Sequence, residues 1–200
     1  MRAVQPAVAP PSHESDLNSL SVFTAFVVLA TVTMTFGAMI AVFIVRSQAP
    51  VYWGRLVLPK VLWASSALLL ASSYTLESAR RHLVQNDQVA GFQMLCWTTA
   101  CGFAFLGCQI AAWLQVLHSG LILNRNPHSW FIFLFTGLHG LHILLGLGGL
   151  TYLLVRTRVP VSGPKYQMKT RVVATGVGIF WHYLDFLWIV LFGLLLIWRR

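Results

Sequence analysis

The run WFIFLFTGLHGLHILLGLGGL, Trp130 to Leu150, is apolar over a length that crosses a bilayer as a helix, yet it carries His139 and His142 one turn apart. Further along, VGIFWHYLDFLWIVLFGLLLIW sets His182 and Asp185 in the middle of a second such run. Groups that can ionise are costly in hydrocarbon, so these four side chains must face protein, lipid headgroups or trapped water. The composition agrees with a membrane chain: of 200 residues, 57% are hydrophobic and 10% charged. The net charge of +9 does not point to nucleic acid. The basic residues lie in short loops between apolar runs, where lysine and arginine act as topology signals. Cys96, Cys101 and Cys108 share one apolar segment without ligand-like spacing. They are expected to be buried thiols, in neither a disulfide nor a metal site.

The fold class is all-α, an integral membrane bundle of five transmembrane helices at about 21–45, 58–76, 91–117, 130–155 and 172–198. The second is the shortest, and Pro59 suits its first turn. Residues 1–20, with Pro6, Pro10, Pro11, Ser12 and Ser15 and no apolar run, read as a disordered tail without a cleavable signal peptide. Residues 21–200 then form one domain. Pro50, the Asn124 to Pro127 turn and Ser162-Gly163-Pro164 punctuate the loops.

Counting loop charges orients the bundle. With the N-terminus in the cytoplasm, that side holds Arg2, Arg80, Arg81, Arg156, Arg158, Lys165, Lys169 and Arg171. The other side holds Arg46, Arg55, Lys60, Arg125, Arg199 and Arg200. The bias favours N-in, C-out. Ser65, Ser66, Ala67, Ala71, Ser72 and Ser73 in the second helix are small enough for close helix approach. Gly102 and Gly107 in the third helix, and Gly137, Gly140, Gly146, Gly148 and Gly149 in the fourth, serve the same end. Trp53, Trp63, Trp113, Trp130 and Trp198 fall near segment ends, where indoles prefer the interface.

Each polar constellation admits two readings. His139 and His142 share a helix face beside Gly137 and Gly140, which leave room for something large. Imidazoles so placed can ligate metal or haem. They can equally bond helix carbonyls, a neighbouring helix or lipid phosphate, and two ligands on adjacent turns do not complete a metal shell. His182 would have to be the third ligand. His182 and Asp185 also share a face, close enough to bond each other. They make either a proton-relay step or a buried pair that locks the last helix. Glu77 closes the second helix, with Arg80 and Arg81 at i+3 and i+4. That is a solvated helix end with a local salt bridge, or, with Arg80, Arg81 and His82, a site for anionic lipid headgroups. Trp181, Tyr183, Phe186 and Trp188 read as packing surface rather than a cofactor box. No glycine-rich phosphate loop, nucleophile elbow, Cys-x-x-Cys-His or zincin motif occurs. The residues describe a membrane subunit without a redox centre of its own.

FTGLHGLHILLGLGGL and FWHYLDFLWIVLFGLLLIW resemble the signatures of subunit III of the haem–copper respiratory oxidases. LLLASSYTLESARRHL (Leu68 to Leu83), FLGCQIAAWLQVL (Phe105 to Leu117) and the first-helix string LATVTMTFGAMIAVFIVR look like the same family in the same order, covering about residues 20 to 198. The resemblance is to the shorter, five-helix bacterial form. It implies a noncatalytic subunit of a cytochrome c or quinol oxidase in the bacterial cytoplasmic membrane, again N-in, C-out. Such a subunit packs against the haem- and copper-bearing subunit I, with subunit II and a small subunit IV as further partners. It holds phospholipid in a cleft, supports proton uptake and binds no haem or copper itself. One position departs from the pattern. Where many members carry a glutamate two residues before the first-helix methionine, this chain has Val32, with Thr31, Thr33 and Thr35 nearby, so a proton-linked role there is lost. An accessory subunit of a nitric oxide reductase or another supercomplex is the alternative within the fold. A small transporter or proton channel using His182 and Asp185 is the alternative outside it, although no inverted repeat is evident.

Overall fold

Five long apolar stretches separated by proline-marked breaks leave the backbone one way to satisfy its hydrogen bonds in lipid, which is to form helices throughout. The computed structural model describes the backbone of residues 13–48, 59–85, 87–118, 127–158 and 164–197, and the side chains of 23–48, 59–85, 87–118, 130–158 and 169–197. Within these lie α1 (His13–Ser47), α2 (Val61–Val84), α3 (Gln88–His118), α4 (Pro127–Arg158) and α5 (Pro164–Ile197). Pro127 and Pro164 open α4 and α5, the place where a missing N–H costs nothing. Among the described residues four helices are long and apolar enough to cross a membrane, over Phe23–Ser47, Gln88–His118, Trp130–Arg158 and Lys169–Ile197.

The remaining helix, α2, is the shortest at 24 residues and is rich in serine, and its polar residues are where the packing needs them. Its buried residues are Leu62, Ser65, Leu69, Ser72, Leu76, Ala79 and Leu83, an alternation of three and four. Gly91, Leu95, Thr98, Gly102, Phe105, Gln109, Ala112 and Val116 repeat the alternation on α3. This is the seam of two helices crossing at about 20°. Asp87 turns the chain between them: its carboxylate accepts from the Ala90 N–H at 3.1 Å and caps α3.

Helices α2 to α5 close into a ring, each packed on the next and α5 back on α2, while α1 lies outside against α5 and α4. The central core joins Leu69, Leu76, Leu95, Phe105, Ile143, Leu150, Trp181, Leu184 and Trp188. A second cluster under α1 joins Val32, Phe36, Phe43, Phe135, Leu187 and Leu191. Neighbouring helices of the ring are antiparallel. At one end the Arg171 guanidinium donates to the Val84 carbonyl at 2.9 Å, and Arg156 Nε donates to Thr170 Oγ1 at 2.9 Å, tying the start of α5 to the ends of α2 and α4.

Several expectations change. The second helix does not close at Glu77 or near residue 76. It continues to Val84, because Ala79 and Leu83 still have α3 to pack on and Gln85 N–H caps the Arg81 carbonyl at 3.1 Å. The fifth helix begins at Pro164 rather than 172, and α1 begins at His13, within the stretch read as a tail. The three cysteines are half-buried free thiols rather than buried ones. Gly107 and Gly148 face open space and make no close approach. The expected tail through residue 12, with Trp53, Arg55, Asn124, Arg125, Trp198, Arg199 and Arg200, lies outside the described residues.

Gly102 does require its lack of a side chain. A Cβ there would stand 2.7 Å from Leu147 Cδ2 and 2.9 Å from Trp181 Cη2. The indole cannot give way, since Gly146 backs it equally closely and its N–H is bonded to Ser72. Gly102→Ala is therefore expected to cost about 1–3 kcal/mol by overpacking, read as a lower thermal midpoint of the solubilised protein. Gly193→Ala, with nothing within 4 Å of its Cβ, should leave the midpoint unchanged.

Candidate functional site: the polar seam of α2 and α5

The serines of α2 carry out two tasks with one hydroxyl. Ser65, Ser66 and Ser72 each donate to a carbonyl of their own helix, at 2.8, 2.9 and 2.7 Å. This leaves their lone pairs to accept from neighbours. Trp181 Nε1 donates to Ser72 Oγ and Trp188 Nε1 to Ser66 Oγ, both at 3.0 Å. Gln109 Nε2 of α3 reaches Ser65 Oγ at 3.4 Å, and the Thr75 and Thr98 hydroxyls meet at 2.8 Å. Trp181 and Trp188 are thus buried tryptophans whose N–H groups are satisfied inside the bundle. The serines act as acceptors as well as small residues, a role their size alone did not suggest. Of the other aromatics of the last helix, Tyr183 OH meets Thr33 Oγ1 of α1 at 2.7 Å, and Phe186 points outward.

Ser73 is bonded differently. Its hydroxyl lies 2.6 Å from His182 Nδ1 and donates to Asp185 Oδ2. The histidine and the acid therefore do not bond each other directly, as their shared face suggested; a serine from the facing helix stands between them. Asp185 is 4% exposed, with its Oδ1 unbonded among the described residues, and His182 is half-buried. Along the same seam Glu77 accepts from Arg80 at 3.0 Å and from Arg81 at 3.2 Å. The Arg80 stem lies across α5, where a Cβ on Gly178 would be 3.0 Å from Arg80 Cδ. Glu77 and Arg80 are thereby charged groups close enough to act electrostatically on His182. His82 stands apart, 3.4 Å from Asp87 Oδ2 in the turn and without hydrogen-bond geometry.

The histidines of α4 part company. His142 Nδ1 donates to the Leu138 carbonyl at 2.7 Å, so that nitrogen carries the proton. His139 is fully buried among the rings of Phe36, Phe105 and Trp188, at centroid distances of 6.5, 5.9 and 5.2 Å, and neither ring nitrogen has a partner among the described residues. The large group beside Gly137 is the indole of Trp113, which donates to Thr136 Oγ1 at 2.8 Å. His182 is not brought to this pair, and no three metal-capable side chains converge among the described residues. Val32 is buried in the apolar cluster beneath α1, while Thr31, Thr33 and Thr35 bond carbonyls of their own helix.

The sequence pattern of the family described as Cytochrome c oxidase subunit III matches residues 17–200. The chain belongs to that family. Its relatives include the quinol oxidase subunit 3 of Bacillus subtilis, 25% identical over 92% of this chain and 90% of the relative. The cytochrome c oxidase subunit 3 of Thermostichus vulcanus is 27% identical over 94% and 92%. The cytochrome bo(3) ubiquinol oxidase subunit 3 of Pseudomonas aeruginosa is 29% identical over 90% and 86%. Family membership makes this chain a membrane subunit of a haem–copper terminal oxidase, and the polar seam is a feature inside that subunit III.

The His139 environment makes a direct prediction. An imidazole without partners among aromatic rings contributes little that a phenyl ring would not, so His139→Phe should hold or raise the thermal midpoint. His142→Phe gives up the bond to the Leu138 carbonyl and should cost about 0.5–1.5 kcal/mol of stability, read as a lower midpoint. A large loss confined to His139→Phe would mean that the ring nitrogens have a partner.

Proposed function

We propose that the chain is the noncatalytic subunit III of a bacterial cytochrome c or quinol oxidase in the cytoplasmic membrane, oriented N-in, C-out. The observation that carries this reading is the colinear family match over residues 17–200, with relatives named for both oxidase types. In this role the ring of α2 to α5 packs beside the haem- and copper-bearing subunit I, with subunit II and a small subunit IV completing the assembly. The chain supplies stability and sustained proton uptake rather than a redox centre. The polar side chains inside the bundle support this division of labour, since most of them are committed to partners within the chain: Trp181 and Trp188 to serines, His142 to a carbonyl, His182 and Asp185 to Ser73.

Phospholipid belongs to the same reading. Arg81 is 74% exposed and shares Glu77 with Arg80, at the end of the bundle that also holds Arg156 and Arg171. A guanidinium at a helix end, only partly neutralised by one carboxylate, suits an anionic headgroup at the cytoplasmic face.

Two measurements test the proposal. Affinity purification through a tag on this chain, after gentle solubilisation, should recover haem-bearing subunits, while the chain expressed alone should show no Soret absorbance. A Soret band that stays with the isolated chain would contradict it. Mass spectrometry of the intact assembly should find anionic phospholipid that is depleted several-fold in the Arg80→Gln/Arg81→Gln variant; equal lipid in both would remove the headgroup role.

A further inference from the structure

The row Asp185 Oδ2, Ser73 Oγ, His182 Nδ1 consists of three heavy atoms joined by two hydrogen bonds. Each bond needs one proton, and the serine hydroxyl supplies only one. The second must come from an end of the row, either from a protonated Asp185 donating to Ser73 or from a protonated His182 Nδ1. The arrangement therefore holds one proton beyond the serine's own, and it has two places to keep it. The neighbouring serines cannot act in this way, because Ser65, Ser66 and Ser72 direct their protons at carbonyls of their own helix. Ser73 alone among these four joins two ionisable groups.

We propose that Ser73, His182 and Asp185 form a proton-holding site inside the membrane layer, in which the Ser73 hydroxyl transfers one proton between the Asp185 carboxyl and His182 Nδ1. When Asp185 is the donor, its O–H proton passes to Ser73 Oγ as the Ser73 proton passes to His182 Nδ1. A carboxylic acid and a neutral imidazole become a carboxylate and an imidazolium, with the serine unchanged and the row neutral overall. The reverse shift restores the first state. The carboxyl is buried, whereas the His182 ring is half-buried, so the imidazole is the member that exchanges the proton with groups outside the chain.

The surroundings set the direction of entry. From α2 the groups facing His182 are Ser73, Glu77 and Arg80. The α4 histidine His139 lies against Trp188, one turn beyond Asp185. Thr33 of α1 is engaged with Tyr183 OH. Glu77 and Arg80 thus lie toward the basic end of the bundle, and no relay continues past Asp185 among the described residues. The site stores and returns a proton rather than conducting it across the membrane. It rests on the chain's own geometry, and the oxidase reading says only where such a site resides.

The test is infrared difference spectroscopy of the tagged membrane complex, stepping pH through the near-neutral range in H2O and D2O. The expected result is a deuterium-sensitive carboxylic-acid C=O band that changes together with imidazole ring bands, and that is absent in Asp185→Asn. In Ser73→Ala the carboxyl and imidazole bands should titrate separately; Ser73→Thr, which keeps the hydroxyl, should restore their joint change, and Ser66→Ala should leave it intact. If Asp185→Asn fails to assemble, the Ser73 pair of variants decides the matter. A spectrum without a carboxyl band that responds to these substitutions, or joint titration that survives Ser73→Ala, would overturn the proposal. The readout does not depend on haem, so a complex lacking haem subunits would refute the oxidase reading while leaving this one to stand or fall by its own bands.

Discussion

Tryptophan N–H groups of α5 meeting serine oxygens of α2 set the geometry of the bundle. In hydrocarbon the apolar surfaces of helices gain little by leaving lipid, so association depends on close packing and on interhelical hydrogen bonds. Trp181 on Ser72 and Trp188 on Ser66 are seven residues apart on α5 and six apart on α2, which fixes the register of an antiparallel pair at two points. With that register set, Ser73 falls between His182 and Asp185, and Arg80 falls across Gly178. The polar centre of the subunit follows from the same repeat that closes its core.

Much of the fold could be read in the chain. Apolar length placed four of the helices, but Pro127 and Pro164, read as loop punctuation, turn out to open α4 and α5. The boundaries of α2 were hidden by its composition, since serine, threonine and arginine lower its apolar signal although Ser65 and Ser72 are wholly buried. Its repeat of three and four was hidden for the same reason: three of its seven core positions on that seam are Ser65, Ser72 and Ala79, which do not stand out among hydrophobic residues. Across the seam, α3 fills matching positions with Gly91, Thr98, Gly102 and Gln109.

The site was only half legible. The shared faces of His139 with His142 and of His182 with Asp185 follow from helical spacing, and so does the Glu77 pairing with Arg80 and Arg81. What spacing cannot show is the residue contributed by another helix. Ser73 joins the His182–Asp185 pair from across the bundle, and the rings of Phe36, Phe105 and Trp188 isolate His139 from His182. Val32 is the converse case. Its apolar side chain, at a position where the resemblance implied an acid, suits its surroundings, a cluster of Phe36, Phe135, Leu187 and Leu191.

The central claim is that serine–tryptophan bonds across α2 and α5 hold this subunit together. A double-mutant cycle with Ser72→Ala and Trp181→Phe, read as thermal or denaturant stability of the membrane-embedded protein, measures that bond apart from side-chain size. The account requires a coupling energy of about 0.6–1.7 kcal/mol in favour of the pair. Additive effects, with a coupling indistinguishable from zero, would contradict it.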